Sequence, residues 1–268
     1  MYTLKQSRRV RGSAGEPLPT VWRGLEDAGT RFLRGQLALV AAGPGTGKSA
    51  LVLAYALQAG VPVLYFSADS DAFVQLARSI SILTGRTMRE SIRAVRDDDM
   101  EVMAELPGRP VRMIYDASPD LSTIESSIES WEEVFGEYPW LVVVDNITNV
   151  RGAGEGNVDD PFKGLESLMD YLHTMARATM ACVIGLHHVT GPYNDADKPI
   201  PLSGVKGQIG RVPEMILTLH KIEGIPGVES DKLCVSTVKN RGGRADPSGQ
   251  TFVELDFDGD RMRIADPV

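Results

Sequence analysis

Short apolar runs alternate with longer amphipathic segments up to about residue 188. The runs "QLALVAA" (36–42), "VPVLYFSA" (61–68), "VRMIYDA" (111–117), "WLVVVDN" (140–146) and "ACVIGLHH" (181–188) are β-branched or leucine-rich and carry little polar alternation, which predicts strands buried on both faces. Between them, 48–60, 71–85, 121–135 and 160–179 space their apolar residues at helical intervals, with Ser49, Ser70 and Ser122 as capping residues near three of the starts. Strand and helix in alternation predict a mainly parallel central sheet flanked by helices.

From about residue 214 the pattern changes. "EMILTLHKI", "KLCVSTVKN", "TFVELDFDG" and "RMRIAD" are strand-like and joined by Gly/Pro-rich turns, so the sheet is expected to finish in C-terminal antiparallel hairpins. Residues 1–20, with Gly, Ser, Pro and basic side chains, read as a flexible basic arm, and 21–268 as the folded domain. "RESIRAVRDDDMEVMAELPG" (89–108) reads as a charged, exposed helix.

Composition narrows the class. A chain of 268 residues with 43% hydrophobic content can bury the core of one large α/β domain. No apolar run reaches the ~18 residues of a membrane span, and charges interrupt the first thirty residues where a signal peptide would be apolar. A cytoplasmic protein with no membrane partner is therefore expected. Cys182 and Cys234 lie inside "ACVIGL" and "LCVSTV", which suits reduced core thiols; without a CxxC pair they support neither zinc nor redox chemistry. The net charge of -8 argues against a polyanion binder over the whole surface, yet residues 1–34 hold seven Lys/Arg against three acids. That basic segment is either a local binding patch or a solubilising tail.

The chemistry starts at Ala42-Gly43-Pro44-Gly45-Thr46-Gly47-Lys48-Ser49, which fits GxxxxGK[ST] except that Ala42 replaces the first glycine. Glycines let the backbone curl until several N–H groups point at phosphate oxygens, and the following helix adds its N-terminus. Gly43, Pro44, Gly45, Thr46, Gly47, Lys48, Ser49 and Ala50 are thus the candidate nucleotide-binding residues, for ATP. Lys48 would reach the β- and γ-phosphates, and Ser49 would place a hydroxyl on Mg2+. Ala42 is tolerable if that residue does not need a positive φ.

A phosphate loop also needs a metal-orienting acid and a group that activates water. Asp145 ends a buried apolar strand, where a carboxylate is costly unless a cation meets it, so Ser49 and Asp145 are the candidate metal ligands; helix capping is the other role open to Asp145. Asp69 follows the strand "VLYFS" at the carboxyl edge of the sheet, where ligands of open α/β sheets bind. It could polarise the attacking water or cap the helix near Ser70. His187 and His188 alternate faces, so one could face the γ-phosphate or both could be satisfied core histidines.

These residues resemble the RecA-fold ATPases, and within them the motor domain of DnaB-type replicative helicases, from about Val21 to the C-terminus. "FLRGQLALVAAGPGTGKS" is similar to the family's lead-in strand and phosphate loop, "LYFSADS" to the strand ending in its catalytic glutamate, "LVVVDNITNV" to its magnesium strand and "VIGLHHV" to its sensor strand. "PIPLSGVKGQIGRVPEMILTLHK" resembles the stretch leading out of the DNA-binding loop, and "VSTVKNRGG" the Lys-x-Arg motif that reaches into a neighbour's ATP site. The resemblance implies a RecA-like P-loop NTPase. It makes Lys48, Asp69, His188, Lys239 and Arg241 the catalytic set, with Arg244 a third cation. "KNRGGR" is also a good sequence for a solvated basic turn. Asp69 is one methylene shorter than the family's glutamate, which allows slow hydrolysis, and His188 replaces a glutamine.

The function implied is an ATP-dependent DNA helicase: a homo-oligomer, expected as a hexameric ring, that translocates on single-stranded DNA, with a primase or helicase loader as further partners. Within "TGPYNDADKPIPLSGVKGQ" (190–208), Lys198 and Lys206 could meet DNA phosphates and Tyr193 could stack, although Asp195 and Asp197 work against that. The family's N-terminal domain is expected to be absent, a size that suits a phage or mobile-element replication system. Two rivals stay open: a RecA-like DNA-binding recombination protein switched by ATP with slow hydrolysis, and an ATPase acting on protein partners.

Overall fold

The computed structural model describes residues 2–106, 108, 110–151, 163–225 and 230–267. The first strand, β1 (Leu37–Ala42), is buried at every position. Its side chains serve both faces of the sheet: Ala38, Val40 and Ala42 join one apolar core, and Leu37, Leu39 and Ala41 the other. Each fully buried leucine or valine contributes about 1.5–3 kcal/mol, which is why an uninterrupted apolar run finds its place in the middle of the sheet.

The other strands follow the expected pattern closely: β2 (Val63–Ser67), β3 (Val111–Ile114), β4 (Leu141–Asp145), β5 (Cys182–His188), β6 (Met215–Ile222), β7 (Asp231–Asn240), β8 (Phe252–Asp258) and β9 (Arg263–Ala265). Among the described residues they form one sheet in the order β3-β2-β4-β5-β1-β6-β7-β8-β9. The strands from β3 to β6 run parallel, and β7, β8 and β9 add on by antiparallel pairing. The RecA-like α/β architecture is the one expected.

The described residues form eight α-helices: α1 (Leu4–Val10), α2 (Arg23–Asp27), α3 (Lys48–Gln58), α4 (Ala72–Thr84), α5 (Met88–Arg96), α6 (Met100–Ala104), α7 (Leu121–Phe135) and α8 (Lys163–Thr179). The apolar side chains of α2 and α3 enter one core, and those of α7 and α8 the other. No described helix is long and apolar enough to cross a membrane.

Four expectations change. The helix starts are capped earlier than Ser49, Ser70 and Ser122 for α3 and α7 and later for α4: Gly47 precedes α3, the Asp71 carboxylate accepts from the Val74 N–H, and the Asp120 carboxylate accepts from the Thr123 N–H. An aspartate just before the first turn can satisfy an orphan N–H and carry negative charge toward the positive end of the helix dipole. Residues 89–108 contain parts of two helices, not one exposed helix, since Asp99 caps a fresh start and Ala94 and Val102 pack with Ile80 in a small satellite core. Within 1–20, α1 buries no residue, but Leu18 is buried, and the Leu18 N–H donates to Phe32 O at 2.9 Å. Packing therefore begins before residue 21. The segment 190–208, read as a stretch for DNA contacts, is partly packed, with Ile200 and Val205 in the second core and the Thr190 N–H donating to Gly204 O at 2.8 Å.

Candidate nucleotide site

The strand order decides what meets the glycine knot. Pairing sets Ser67 of β2 opposite Asp145 of β4, Val144 opposite Gly185 of β5, and His188 opposite Ala42 of β1. The carboxyl ends of four neighbouring strands thus lie along one edge, and the knot follows directly from the last of them.

Ala42 ends β1 in extended backbone, so its Cβ is no obstacle; the left-handed conformations fall on Gly45 (φ 71°) and Gly47 (φ 118°), where a side chain would strain the turn. The Thr46 hydroxyl donates to Gly43 O at 2.9 Å and ties the loop across its own turn. A Cβ built on Gly45 would meet nothing within 4 Å, so the loop is open above that residue. At Gly43 it would come within 2.1 Å of Asn194 O, because the backbone of the 190–208 segment leans on the loop there. Nothing in the sequence pattern signals that contact.

Lys48 opens α3, buried to 8% exposure, and its ammonium donates to Ala42 O at 3.2 Å and Gly43 O at 3.0 Å. Burial lowers its pKa, while the carboxylates of Asp145 and Asp69 push it back up. Asp145 is 2% exposed, and the Tyr65 hydroxyl donates to its Oδ2 at 2.8 Å. Burial raises the Asp145 pKa, and the Tyr65 hydroxyl and the neighbouring Ser49 hydroxyl oppose the rise. A carboxylate and a hydroxyl side by side, both hard oxygen donors, fit Mg2+, and the open glycine loop beside a buried ammonium fits a polyphosphate. Asp145 caps no helix: the neighbouring Asn146 side chain takes the Thr148 N–H at 3.2 Å.

Asp69 lies two residues past β2, and the Asn149 amide donates to its Oδ1 at 2.9 Å. Asp71, not Asp69, caps α4. The two histidines divide as their alternation requires. His188 points to the site edge, 2.7 Å from Asn146 Nδ2. Because Asn146 Oδ1 is engaged by Thr148, its Nδ2 faces the imidazole, so His188 Nε2 accepts and the proton sits on Nδ1. Burial lowers the pKa of His188, with Lys48 acting in the same direction and Asp69 against it. His187 turns to the opposite face, where its Nε2 lies 2.8 Å from Lys206 O and burial takes its pKa down to about 4. It is a core histidine that anchors the 190–208 segment.

A family model described as an AAA domain matches residues 14–191. The chain belongs to the AAA domain family. This AAA-domain chain is 61% identical to the Gene 65 protein of Mycobacterium phage L5, over 99% of each chain. It is 60% identical to the Gene 65 protein of Mycobacterium phage D29, over 86% of this chain and 99% of the relative. Among solved structures it superposes on one described as an ATPase domain with a TM-score of 0.78 at 16% identity, over 99% of this chain and 96% of that one. A DnaB-like replicative helicase described with its interactions with primase gives a TM-score of 0.79 at 17% identity, over 99% of this chain and 65% of that one. The RadB recombinase gives 0.60 at 20% identity, over 94% and 100%. The fold is therefore that of RecA-like P-loop ATPase domains and resembles the DnaB motor domain.

Two of the expected catalytic residues are not in this AAA-domain site. β7 runs antiparallel to β6, and Met215 pairs with both Ala38 and Asn240. Lys239 and Arg241 therefore stand at the amino edge of β1, about 3.3 Å per strand residue away from the loop at its carboxyl edge. Lys239 Nζ donates to Gly210 O (2.6 Å) and Arg211 O (2.8 Å), and Arg241 Nη2 donates to Arg211 O at 2.8 Å. Burial lowers the Lys239 pKa, as does Arg241, against the carboxylate of Glu214. Arg244 is exposed in the turn beyond. Lys198 and Lys206 are exposed, and Lys198 Nζ sits 5.8 Å above the Tyr193 ring, which holds that ring as a cation partner. The residues missed from sequence are Tyr65, Asn146, Asn149, Asn194 and Glu214. Each acts through a partner distant in the chain, and no local motif marks it.

Proposed function

We propose that the protein is an ATP-hydrolysing DNA helicase of the replicative type, working as a ring on single-stranded DNA, with each ATP site completed by the neighbouring subunit. The observation that carries this reading is the separation of the two halves of the site. Lys48, Ser49, Asp69, Asp145 and His188 gather at the carboxyl edge of the sheet, and Lys239 and Arg241 stand at the amino edge of the same strands. One chain cannot bring both to one phosphate; two chains packed edge to edge can. The likeness in fold to an ATPase domain and to a DnaB-like replicative helicase supports the helicase-type ATPase part of this reading.

The loop N–H groups and Lys48 hold the β- and γ-phosphates, and Ser49 with Asp145 would hold Mg2+, which supplies charge neutralisation across them. Asp69 orients the attacking water and accepts its proton, with Asn149 fixing the carboxylate. His188 faces the γ-phosphate and passes its presence or loss to Asn146. Arg241 and Lys239 of the adjacent subunit meet the charge that grows on the transferring phosphoryl group, an effect worth about 10³ to 10⁵ in rate for an arginine supplied in trans. Hydrolysis then depends on subunit contact. Lys198 and Lys206, exposed on the segment that leans on Gly43, supply phosphate contacts to the strand, and six copies would gather them about one axis. A primase partner is carried only by the likeness to the DnaB-like helicase described with its interactions with primase.

The alternative is a RecA-like DNA-binding protein that uses ATP as a switch. The short Asp69 side chain favours it, as does the fold likeness to the RadB recombinase. A fork-unwinding assay beside electron microscopy of the ATP-bound protein separates the two. Rings and hydrolysis-dependent strand displacement are expected; filaments that bind or pair strands without displacement would overturn the helicase reading.

A further inference from the structure

We infer that Glu214 is a positioning residue for the cation that Arg241 presents to the neighbouring subunit, an inference that rests on the shared-site reading above. Glu214 lies just before β6 and is 13% exposed at its side chain, so its carboxylate sits in a largely dry place that needs partners. It has three, each from a different element. Oε2 accepts from the Leu37 N–H at 3.0 Å, at the first residue of β1. Oε1 lies 2.9 Å from His173 Nε2 on α8 and 3.7 Å from Arg241 Nη1 beyond β7. The backbone repeats the link, since the Arg241 N–H donates to Glu214 O at 2.9 Å.

The geometry gives these contacts different tasks. The Leu37 N–H holds the carboxylate with a hydrogen bond of ordinary length, and the His173 ring lies close against its other oxygen. Arg241, half exposed, is too far for a hydrogen bond to Oε1 and is held by charge alone on that side, while Arg211 O fixes Nη2. A guanidinium has five N–H donors, so this hold orients the group and leaves donors free to face outward. Without the carboxylate, a long, half-exposed arginine would sample many rotamers, and a displacement near 1 Å can cost about a hundredfold in rate. Because Glu214 also grips β1, the strand that carries the phosphate loop, it could instead serve its own subunit's loop. The experiment distinguishes the two.

The near-isosteric Glu214→Gln variant removes the charge and keeps an acceptor for Leu37. It is expected to bind an ATP analogue with unchanged affinity, to keep KM for ATP, and to lose kcat by about tenfold to a hundredfold. Mixed with Lys48→Ala protein in an assembly shown to contain both, it should regain turnover, because the variant supplies an intact loop and its partner an intact cation. Arg241→Ala mixed with Lys48→Ala is the control. If the control recovers and the Glu214→Gln mixture does not, Glu214 serves its own loop and the inference fails while the shared site stands. If neither recovers in co-assembled mixtures, the shared site itself fails. Wild-type kcat in Glu214→Gln would overturn the inference alone. Should Glu214→Gln not assemble, Glu214→Asp, which keeps the charge on a shorter arm, takes its place with the same expected loss of kcat and recovery in mixture.

Discussion

Tyr65 and Asp145 meet across two neighbouring strands, the phenol hydroxyl donating to the carboxylate at 2.8 Å in a place where both side chains are buried. β2 and β4 pair in a register that puts Tyr65 opposite Val143, so the hydroxyl reaches past one residue to the end of the adjacent strand. Asp145 is costly to bury as an anion, and the Tyr65 hydrogen bond favours it in that form, as does the nearby Ser49 hydroxyl. Tyr65 thereby orients the carboxylate that would hold Mg2+.

Tyr65→Phe keeps the ring and removes that donor. The Mg2+ concentration for half-maximal hydrolysis is expected to rise about tenfold or more, the usual effect of losing a hydrogen bond to a metal-ligating group. Binding of a fluorescent ATP analogue without Mg2+ should not change. Unchanged Mg2+ dependence would remove Tyr65 from the site.

Asp69→Asn replaces the carboxylate with an amide of the same shape. Loss of a general base costs about 10² to 10⁴ in rate, so single-turnover hydrolysis should fall into that range while ATP still binds. Hydrolysis within a few fold of the wild type would give the proton-accepting role to another group.

Gly43→Ala tests the contact between the phosphate loop and the 190–208 segment. The added methyl would lie 2.1 Å from Asn194 O, and a backbone atom cannot swing aside as a side-chain tip can. A loss of about 1–3 kcal/mol in denaturant unfolding is expected, typical of an overpacked site. Wild-type stability would show that the segment moves away without cost.

His187 makes stability depend on pH. Burial takes its folded-state pKa to about 4, so the folded protein keeps it neutral while an unfolded chain, with an imidazole near about 6.5, takes up a proton. Its contribution is complete above the unfolded value and is lost as pH falls from there toward 4, to a limit of about 3 kcal/mol. His187→Gln keeps a donor for Lys206 O and does not titrate. Urea midpoints at pH 7.5 and 5 should therefore fall further in the wild type than in the variant; equal falls would refute the assignment.

The amino-acid sequence alone determined what depends on neighbours in the chain. The apolar run 37–42, the glycines at 43, 45 and 47 and the lysine at 48 dictate a buried strand, a curled loop and a helix start, because burial, φ and capping act within a few residues. The same local logic placed Asp145 and Asp69 at strand ends, and misplaced the caps by one or two residues where serine and aspartate compete. The fold decided the rest. Asp145 accepts from a hydroxyl 80 residues away, Glu214 grips Leu37 177 residues away, and β7 turns back so that Lys239 and Arg241 stand at the far edge from the loop. Those relations depend on the order and register of strands, which set long-range contacts through the packing of two cores and leave no periodic trace in any one segment.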